Sequence, residues 1–365
     1  MNNRVLLLAV PIGAGHITAA KAVESALNIS YPDVETRFVN AFDWTLPEYG
    51  KAYRWSYEYS VRRNQGVLES VYDSTFLRKI NLEFLPFIHR VLLYHFPRLI
   101  KEFRPAVVIS THFSPTYSAL LLKKQFDFEL MVIVTDYHIH PFWCNPGVDH
   151  YVVAHDDLVE PLEAFGIEHR RILPYGIPIS TRFDLKANKA ALRRKLGLPT
   201  SRPVVIVMGG KIFGGAWVEV VEELIGFDIE LIAMCGANNS LRARIEQTRG
   251  KAHLSTLGIV SNMQEYILAC DFLITKAGGI TTSEAMACGT TLVLANSLPG
   301  LEKYNEDFFV GHNAAAGINP GNAQAVMNRL LVDKSYGARL RTNLNRLAKR
   351  QPAMSIARKI KELLE

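Results

Sequence analysis

Nowhere in the 365 residues is there an apolar run of the roughly 18–20 positions that a membrane-spanning helix needs, so contact with lipid must be peripheral. The run Val5 to Val10, behind Arg4, is too short for a leader's apolar segment. It passes into Pro11 and a glycine turn without a small-residue cleavage site, and reads as a first buried strand. Cysteine is scarce: Cys144, Cys235, Cys270 and Cys288 lie far apart, with neither disulfide-framework nor metal-ligand spacing. Reduced thiols are expected. His140 near Cys144 supplies only two candidate ligands, so no metal site is expected. There is no fixed-period repeat and no low-complexity segment. Nor is there an acidic excess: 41 Lys and Arg face 35 Asp and Glu, a formal net charge of +6. That balance favours an anionic partner such as a phosphate-bearing substrate or an acidic membrane face. No lysine-rich tail or zinc-finger spacing is present, and nucleic acid is not expected.

What is present is enough apolar residue, 48%, to offset the entropy of ordering two domains. Short β-branched runs recur with helical patterns between them: Val5 to Val10, Ala106 to Ile109, Leu130 to Val134, Val204 to Met208, Leu231 to Cys235, Phe272 to Thr275 and Thr291 to Ala295. Near-continuous apolar strands separated by helices predict α/β architecture with parallel sheets covered on both faces. Breakers at Pro174 to Pro178, then the polar segment Lys186 to Arg202, put a domain boundary near 180/181. Residues 1–180 and 181–365 then read as two Rossmann-like halves facing across a cleft, with ligand at the carboxyl ends of their strands. The last segment, Ala353 to Glu365, has apolar positions at helical spacing and suits packing on either domain, including back onto the first.

From Phe42 to Arg104 lie 14 of the 36 aromatic residues, interleaved with ten basic and seven acidic ones. Trp44, Trp55, Arg62 and Arg63 in this stretch suit a bilayer interface, where rings sit among headgroups and cations meet anionic lipid. Ordinary amphipathic helices with rings in the core fit equally well.

Three stretches carry candidate chemistry. In Gly13-Ala14-Gly15-His16, Gly15 opens a helix whose free amides suit an anion or hydroxyl. His16 is either a general base or a helix-start histidine bonded to backbone. In Thr135 to Trp143, polar residues crowd a strand's carboxyl end. Asp136 there either assists a base or caps a turn, and His138 and His140 share a face if the segment is extended. Trp143 closes this stretch as a candidate acceptor contact.

In Lys276 to Gly289, two glycines, three hydroxyl residues and a following helix make a compact anion cradle. Lys276, Gly278, Gly279, Ile280, Thr281 and Thr282 line it, and Glu284 is placed to accept hydrogen bonds from ribose hydroxyls. The competing account is a capping box between Thr281 and Glu284. Gly209-Gly210-Lys211, Gly236 to Asn239 with Asn238, and Pro299 to Glu302 with Asn305 follow other strands and crowd the same edge.

These motifs resemble the glycosyltransferase family of plant monogalactosyldiacylglycerol synthase and bacterial processive diacylglycerol glucosyltransferases, from Gly13 to about Asn313. The most specific parts are Gly258 to Met263, the Lys276 to Glu284 loop and Pro299-Gly300-Leu301-Glu302 with Asn305. The resemblance implies a GT-B fold, a UDP-sugar held by the C-terminal domain, and a diacylglycerol-type lipid entering the N-terminal one. By it, Val260 meets the uracil through its backbone, Met263 is a further donor-binding residue, and Gly278 to Thr282 meet the diphosphate, Glu284 the ribose, and Glu302 and Asn305 the hexose. His16 or Asp136 removes the acceptor proton, with His140 close by. It also implies a cytoplasmic protein docked on the anionic inner membrane face, and no cofactor beyond the donor substrate. The family usually has Gln where this chain has Leu301; Gln contacts sugar hydroxyls that Leu cannot, which leaves the donor's identity open. The expected chemistry is single displacement with inversion. A UDP-sugar epimerase of like architecture, or a protein that binds nucleotide-sugar and lipid without turnover, are the alternatives.

Overall fold

The computed structural model describes residues 2–63, 95–184, 187–209, 215–295, 297, 301–319 and 321–365. Contacts divide the chain into two compact units, one containing Met1–Thr181 and Lys349–Glu365, the other Arg182–Leu298 and Glu302–Ala348.

The first unit runs β1 (Arg4–Ala9), α1 (Gly15–Ser30), β2 (Glu35–Asn40), α2 (Pro47–Arg63), α3 (Phe96–Phe103), β3 (Val107–Ser110), α4 (Phe113–Leu122), β4 (Glu129–Ile133), β5 (His150–Val152), α5 (Val159–Glu163) and β6 (Ile172–Leu173). Its sheet has the order β2-β1-β3-β4-β5-β6, and every pairing is parallel. Val5 to Ala9 and Val107 to Ser110 are buried throughout, as parallel strands covered on both faces must be. Because β1 lies between β2 and β3, the chain leaves β1 to one side and returns on the other. The crevice beyond the carboxyl ends of β1 and β3 is therefore the unit's topological switch point, where open α/β sheets bind ligands.

The second unit runs α6 (Lys189–Lys195), β7 (Val204–Met208), α7 (Gly215–Leu224), β8 (Glu230–Met234), α8 (Asn239–Ile245), β9 (His253–Leu257), α9 (Met263–Ala269), β10 (Phe272–Thr275), α10 (Gly279–Cys288), β11 (Thr291–Ala295), α11 (Leu301–Gly311), β12 (Ala315–Ile318), α12 (Ala323–Val332) and α13 (Lys334–Leu347). Its parallel sheet has the order β12-β11-β10-β7-β8-β9, with the switch point between β7 and β10. The polar stretch after the boundary is tied to this sheet. Asp271 accepts from Lys189 at 2.7 Å, from the buried Arg193 at 2.5 Å and from the Val204 amide at 2.8 Å.

The last helix, α14 (Pro352–Leu364), belongs to the first unit. Ala353, Ile356, Ala357, Ile360 and Leu364 join the core formed by Ala20, Val23, Ala26 and Leu27 of α1 and the strands beneath. The Ile and Leu of this stripe recur at i, i+4 and i+8, the period that puts them on one helix face. No helix among the described residues is long and apolar enough to cross a membrane.

Candidate functional site

In the first unit the glycine turn after β1 delivers His16 to the switch point. Gly13 takes φ +66, a left-handed conformation open to glycine at little cost, and α1 starts two residues on. His16 is half-buried. Its Nδ1 lies 2.5 Å from the carbonyl oxygen of Thr111, just past β3, and 3.2 Å from Thr135 Oγ1, just past β4. A carbonyl only accepts, so Nδ1 carries the proton and Nε2 keeps its lone pair. Thr111 also donates its hydroxyl to the backbone carbonyl of His16, at 3.0 Å. Burial pushes the His16 pKa down to about 4, against a smaller upward pull from the Thr111 carbonyl. The ring is therefore neutral at physiological pH and able to accept a proton. His16 is bonded to backbone, as the second of its two sequence-based readings has it, and that bond leaves on Nε2 the lone pair that the first reading, a general base, would require.

The other residues expected here fare differently. The chain bends over 136–138 instead of running extended, so the alternation expected to put His138 and His140 on one face does not apply; His138 is half-buried and His140 buried. His140 caps the short turn Pro141–Trp143, its Nδ1 accepting from the Phe142 amide at 3.2 Å. Asp136 is half-buried on that bend. Trp143 is buried, its ring 6.2 Å from that of Phe113, so it is a packing residue and not a surface contact. The sequence reading missed Thr111 and His112, which follow β3, and the role of Thr135. Their signal, polar residues directly after an apolar strand, was there to read.

In α2, Trp55 is 67% and Tyr59 47% exposed, and their rings stack at 5.4 Å. Trp44 is half-buried, 6.0 Å from the Arg37 guanidinium. The side chains of Arg62 and Arg63 lie outside the described residues.

In the second unit the loop after β10 meets α10. Gly278 is the N-cap, with no side chain bonded to the helix end, so the capping box between Thr281 and Glu284 does not form. Gly278 is extended at φ −82; its lack of a side chain, not an unusual dihedral, leaves the helix end open. The first amide to find an intrahelical acceptor is that of Thr282, bonded to the Gly278 carbonyl at 3.1 Å. Those of Gly279, Ile280 and Thr281 point out of the helix end, the geometry that binds anions.

The three hydroxyls expected in this cradle separate. Thr282 and Ser283 are buried and donate back to the carbonyls of Gly278 and Gly279, because a hydroxyl inside a helix finds its nearest acceptor a turn behind. Thr281 is half-exposed and makes no such bond.

Glu284, half-buried one turn further on, makes no hydrogen bond or ion pair among the described residues. Burial alone raises its pKa to about 8. A carboxyl held unpaired in a desolvated place is the kind of group that functional sites collect. Lys276 pairs with Glu302 of α11. Asn305, one turn along α11 and buried, donates to the carbonyl of Ala277 at 2.9 Å. That bond uses one of the two N–H donors of the amide, expected on the hexose, to brace the loop.

Val260 and Met263 are half-buried beyond β9 and at the start of α9. Asn238 caps α8, accepting from the Leu241 amide at 3.0 Å. Gly15 is the first residue of α1, in the first unit, whereas the loop before α10 belongs to the second. Gly210 lies outside the described residues. Among the described residues no group of three His, Cys, Asp or Glu is arranged to hold a metal ion.

Residues 16–179 match the family profile described as monogalactosyldiacylglycerol (MGDG) synthase, and residues 228–351 that of glycosyl transferases group 1. The processive diacylglycerol beta-glucosyltransferase of Bacillus subtilis (strain 168) is 27% identical over 95% of this chain and 91% of its own. Among solved structures, Acinetobacter baumannii MurG superimposes with a TM-score of 0.64 at 12% identity, covering 99% of this chain and all of that one. Anabaena Alr3699/HepE in complex with UDP-glucose gives 0.56 at 13%, over 99% of both chains. The two six-stranded units are thus those of the GT-B class, and the profiles make the chain a glycosyltransferase.

Proposed function

We propose that this glycosyltransferase of the monogalactosyldiacylglycerol synthase and processive diacylglycerol glucosyltransferase family moves a hexose from a UDP-sugar to a diacylglycerol-type acceptor, with inversion, at an anionic membrane surface. His16 Nε2 accepts the proton of the lipid hydroxyl as the oxygen attacks the anomeric carbon, and the imidazolium that forms is held by the Thr111 carbonyl on Nδ1. The sugar–phosphate bond breaks and UDP leaves with the bonding pair. Its growing charge meets the amides of Gly279, Ile280 and Thr281 and the positive end of α10. Preorganised donors of this kind are worth roughly 3 kcal/mol each where they have been removed from other enzymes. Glu284 accepts from the ribose, Val260 and Met263 flank the uracil, and the Lys276–Glu302 pair borders the sugar. The exposed Trp55–Tyr59 stack meets the lipid interface, where amphipathic rings settle.

The observation that carries this reading is the fixed tautomer of His16 inside the segment matched by the lipid-glycosylating family. The test offers purified protein separate radiolabelled UDP-hexoses and vesicles containing diacylglycerol, with and without anionic lipid. Label should enter the lipid from one donor, faster on anionic vesicles. UDP binding without labelled lipid would reject the transferase reading, and a free epimerised UDP-sugar would replace it.

A further inference from the structure

We propose that His112 is a positioning residue for His16, holding the imidazole at the angle that aims Nε2 at the acceptor. The inference rests on the reading of His16 as the base. The two rings lie 4.8 Å apart and nearly perpendicular, at 87°. Packed at that distance, the His112 ring restrains rotation of the His16 ring about its Cβ–Cγ bond and adds to the hold of the Thr111 hydrogen bond.

His112 is itself fixed. It is the N-cap of α4, its Nδ1 accepting from the Ser114 amide at 3.1 Å, and it is 4% exposed. Phe113 lies against it with ring centroids 4.1 Å apart, Trp143 stands 6.3 Å away and Tyr53 of α2 6.4 Å away. A cap alone would be served by Ser, Asp or Asn, the side chains most favoured there, so the imidazole supplies something a small polar residue would not. Tyr53 also contacts Phe42 and Tyr49, at 5.5 and 5.8 Å, which ties the ring to the helix that carries Trp55 and Tyr59.

Two variants separate ring from cap. His112→Asn keeps an acceptor for the Ser114 amide and removes the ring; His112→Phe keeps a ring and removes the acceptor. The full-length variants are compared for kcat, KM for the UDP-sugar and melting temperature, and the His16 ring nitrogens are followed by 15N NMR. The Asn variant should melt close to wild type. Its kcat should fall by about 10- to 100-fold, the penalty for a misplaced reacting group, with KM for the UDP-sugar unchanged. NMR should show the single Nδ1–H tautomer of His16 giving way to a mixture. The Phe variant should melt lower yet, below its transition, turn over faster than the Asn variant. Wild-type kcat or an unchanged His16 tautomer in His112→Asn would overturn the proposal, as would kcat losses that follow melting temperature. A fully active His16→Ala would instead overturn the reading on which the proposal rests.

Discussion

His16 and Thr111 are 95 positions apart in sequence, yet the imidazole Nδ1 of one lies 2.5 Å from the carbonyl oxygen of the other. The parallel pairing of β1 with β3 makes this contact, because both residues follow the carboxyl ends of those neighbouring strands. A backbone carbonyl cannot swing away as a side chain can, so the tautomer is set by the fold. His16→Ala should therefore lower kcat by about 10²- to 10⁴-fold, the usual range for a general base. Calorimetry should find UDP binding unchanged, since the phosphates are assigned to α10.

If His16 is the base, its depressed pKa should set the acid limit of the step that deprotonates the acceptor. With the folded value near 4, the ring stays neutral well below its ordinary 6.5. At saturating UDP-sugar, where the Glu284 effect on donor affinity drops out, the acid limb of kcat/KM for the acceptor should consequently lie near pH 4–5, measured where the protein remains folded. The same shift makes folding less favourable as pH falls from 6.5 toward 4, because there the unfolded chain takes up a proton that the folded one refuses. His16→Phe should flatten that part of the stability profile.

Glu284 gives the opposite sign. Its folded pKa near 8 lies above the ordinary 4.5, so the folded state holds the extra proton between those values. Stability from this group is full below 4.5 and is lost as pH rises through 8. Glu284→Gln should be more stable than wild type at pH 9, by on the order of 1–3 kcal/mol in denaturant titrations, and near neutral at pH 4. Since the carboxylate is the form assigned to the ribose, UDP affinity of the wild type should rise from pH 6 to pH 8. That slope should vanish in the Gln variant.

Asn305 is 1% exposed and its amide holds the carbonyl of Ala277, the residue immediately before the cap of α10. Asn305→Ala leaves that acceptor without its partner, a loss of about 1–3 kcal/mol. Chemical denaturation should show it, along with a raised KM for the UDP-sugar as the loop loosens. Wild-type values for both would remove Asn305 from the support of the cradle.

Trp55 carries the largest exposed aromatic surface among the described residues of α2. Trp55→Ala should weaken sedimentation with anionic vesicles by about tenfold, the scale of burying one large apolar side chain. Turnover on a detergent-solubilised acceptor should be spared.

All seven strands read from apolar runs are present within one residue of their expected ends. The five not read were β2, β5, β6, β9 and β12. Four of these are sheet edges, where one flank meets solvent and the apolar signal thins: β2 reads Glu-Thr-Arg-Phe-Val-Asn and β9 His-Leu-Ser-Thr-Leu. The glycine loops were visible because a chain needs glycine where backbone must be approached. Strand order was not visible, and only that order brings Thr111 and His112 to His16. Nor does composition tell a hydroxyl that faces a ligand from one bonded to its own helix, which is why Thr282 and Ser283 were misread.

The most direct test of the account is the anomeric configuration of the glycolipid made from an α-linked UDP-hexose. Attack by a lipid oxygen deprotonated at His16, opposite a departing UDP, yields the β-anomer in the proton NMR spectrum, and His16→Ala yields almost no product. An α-linked product, or one formed as fast without His16, would contradict it.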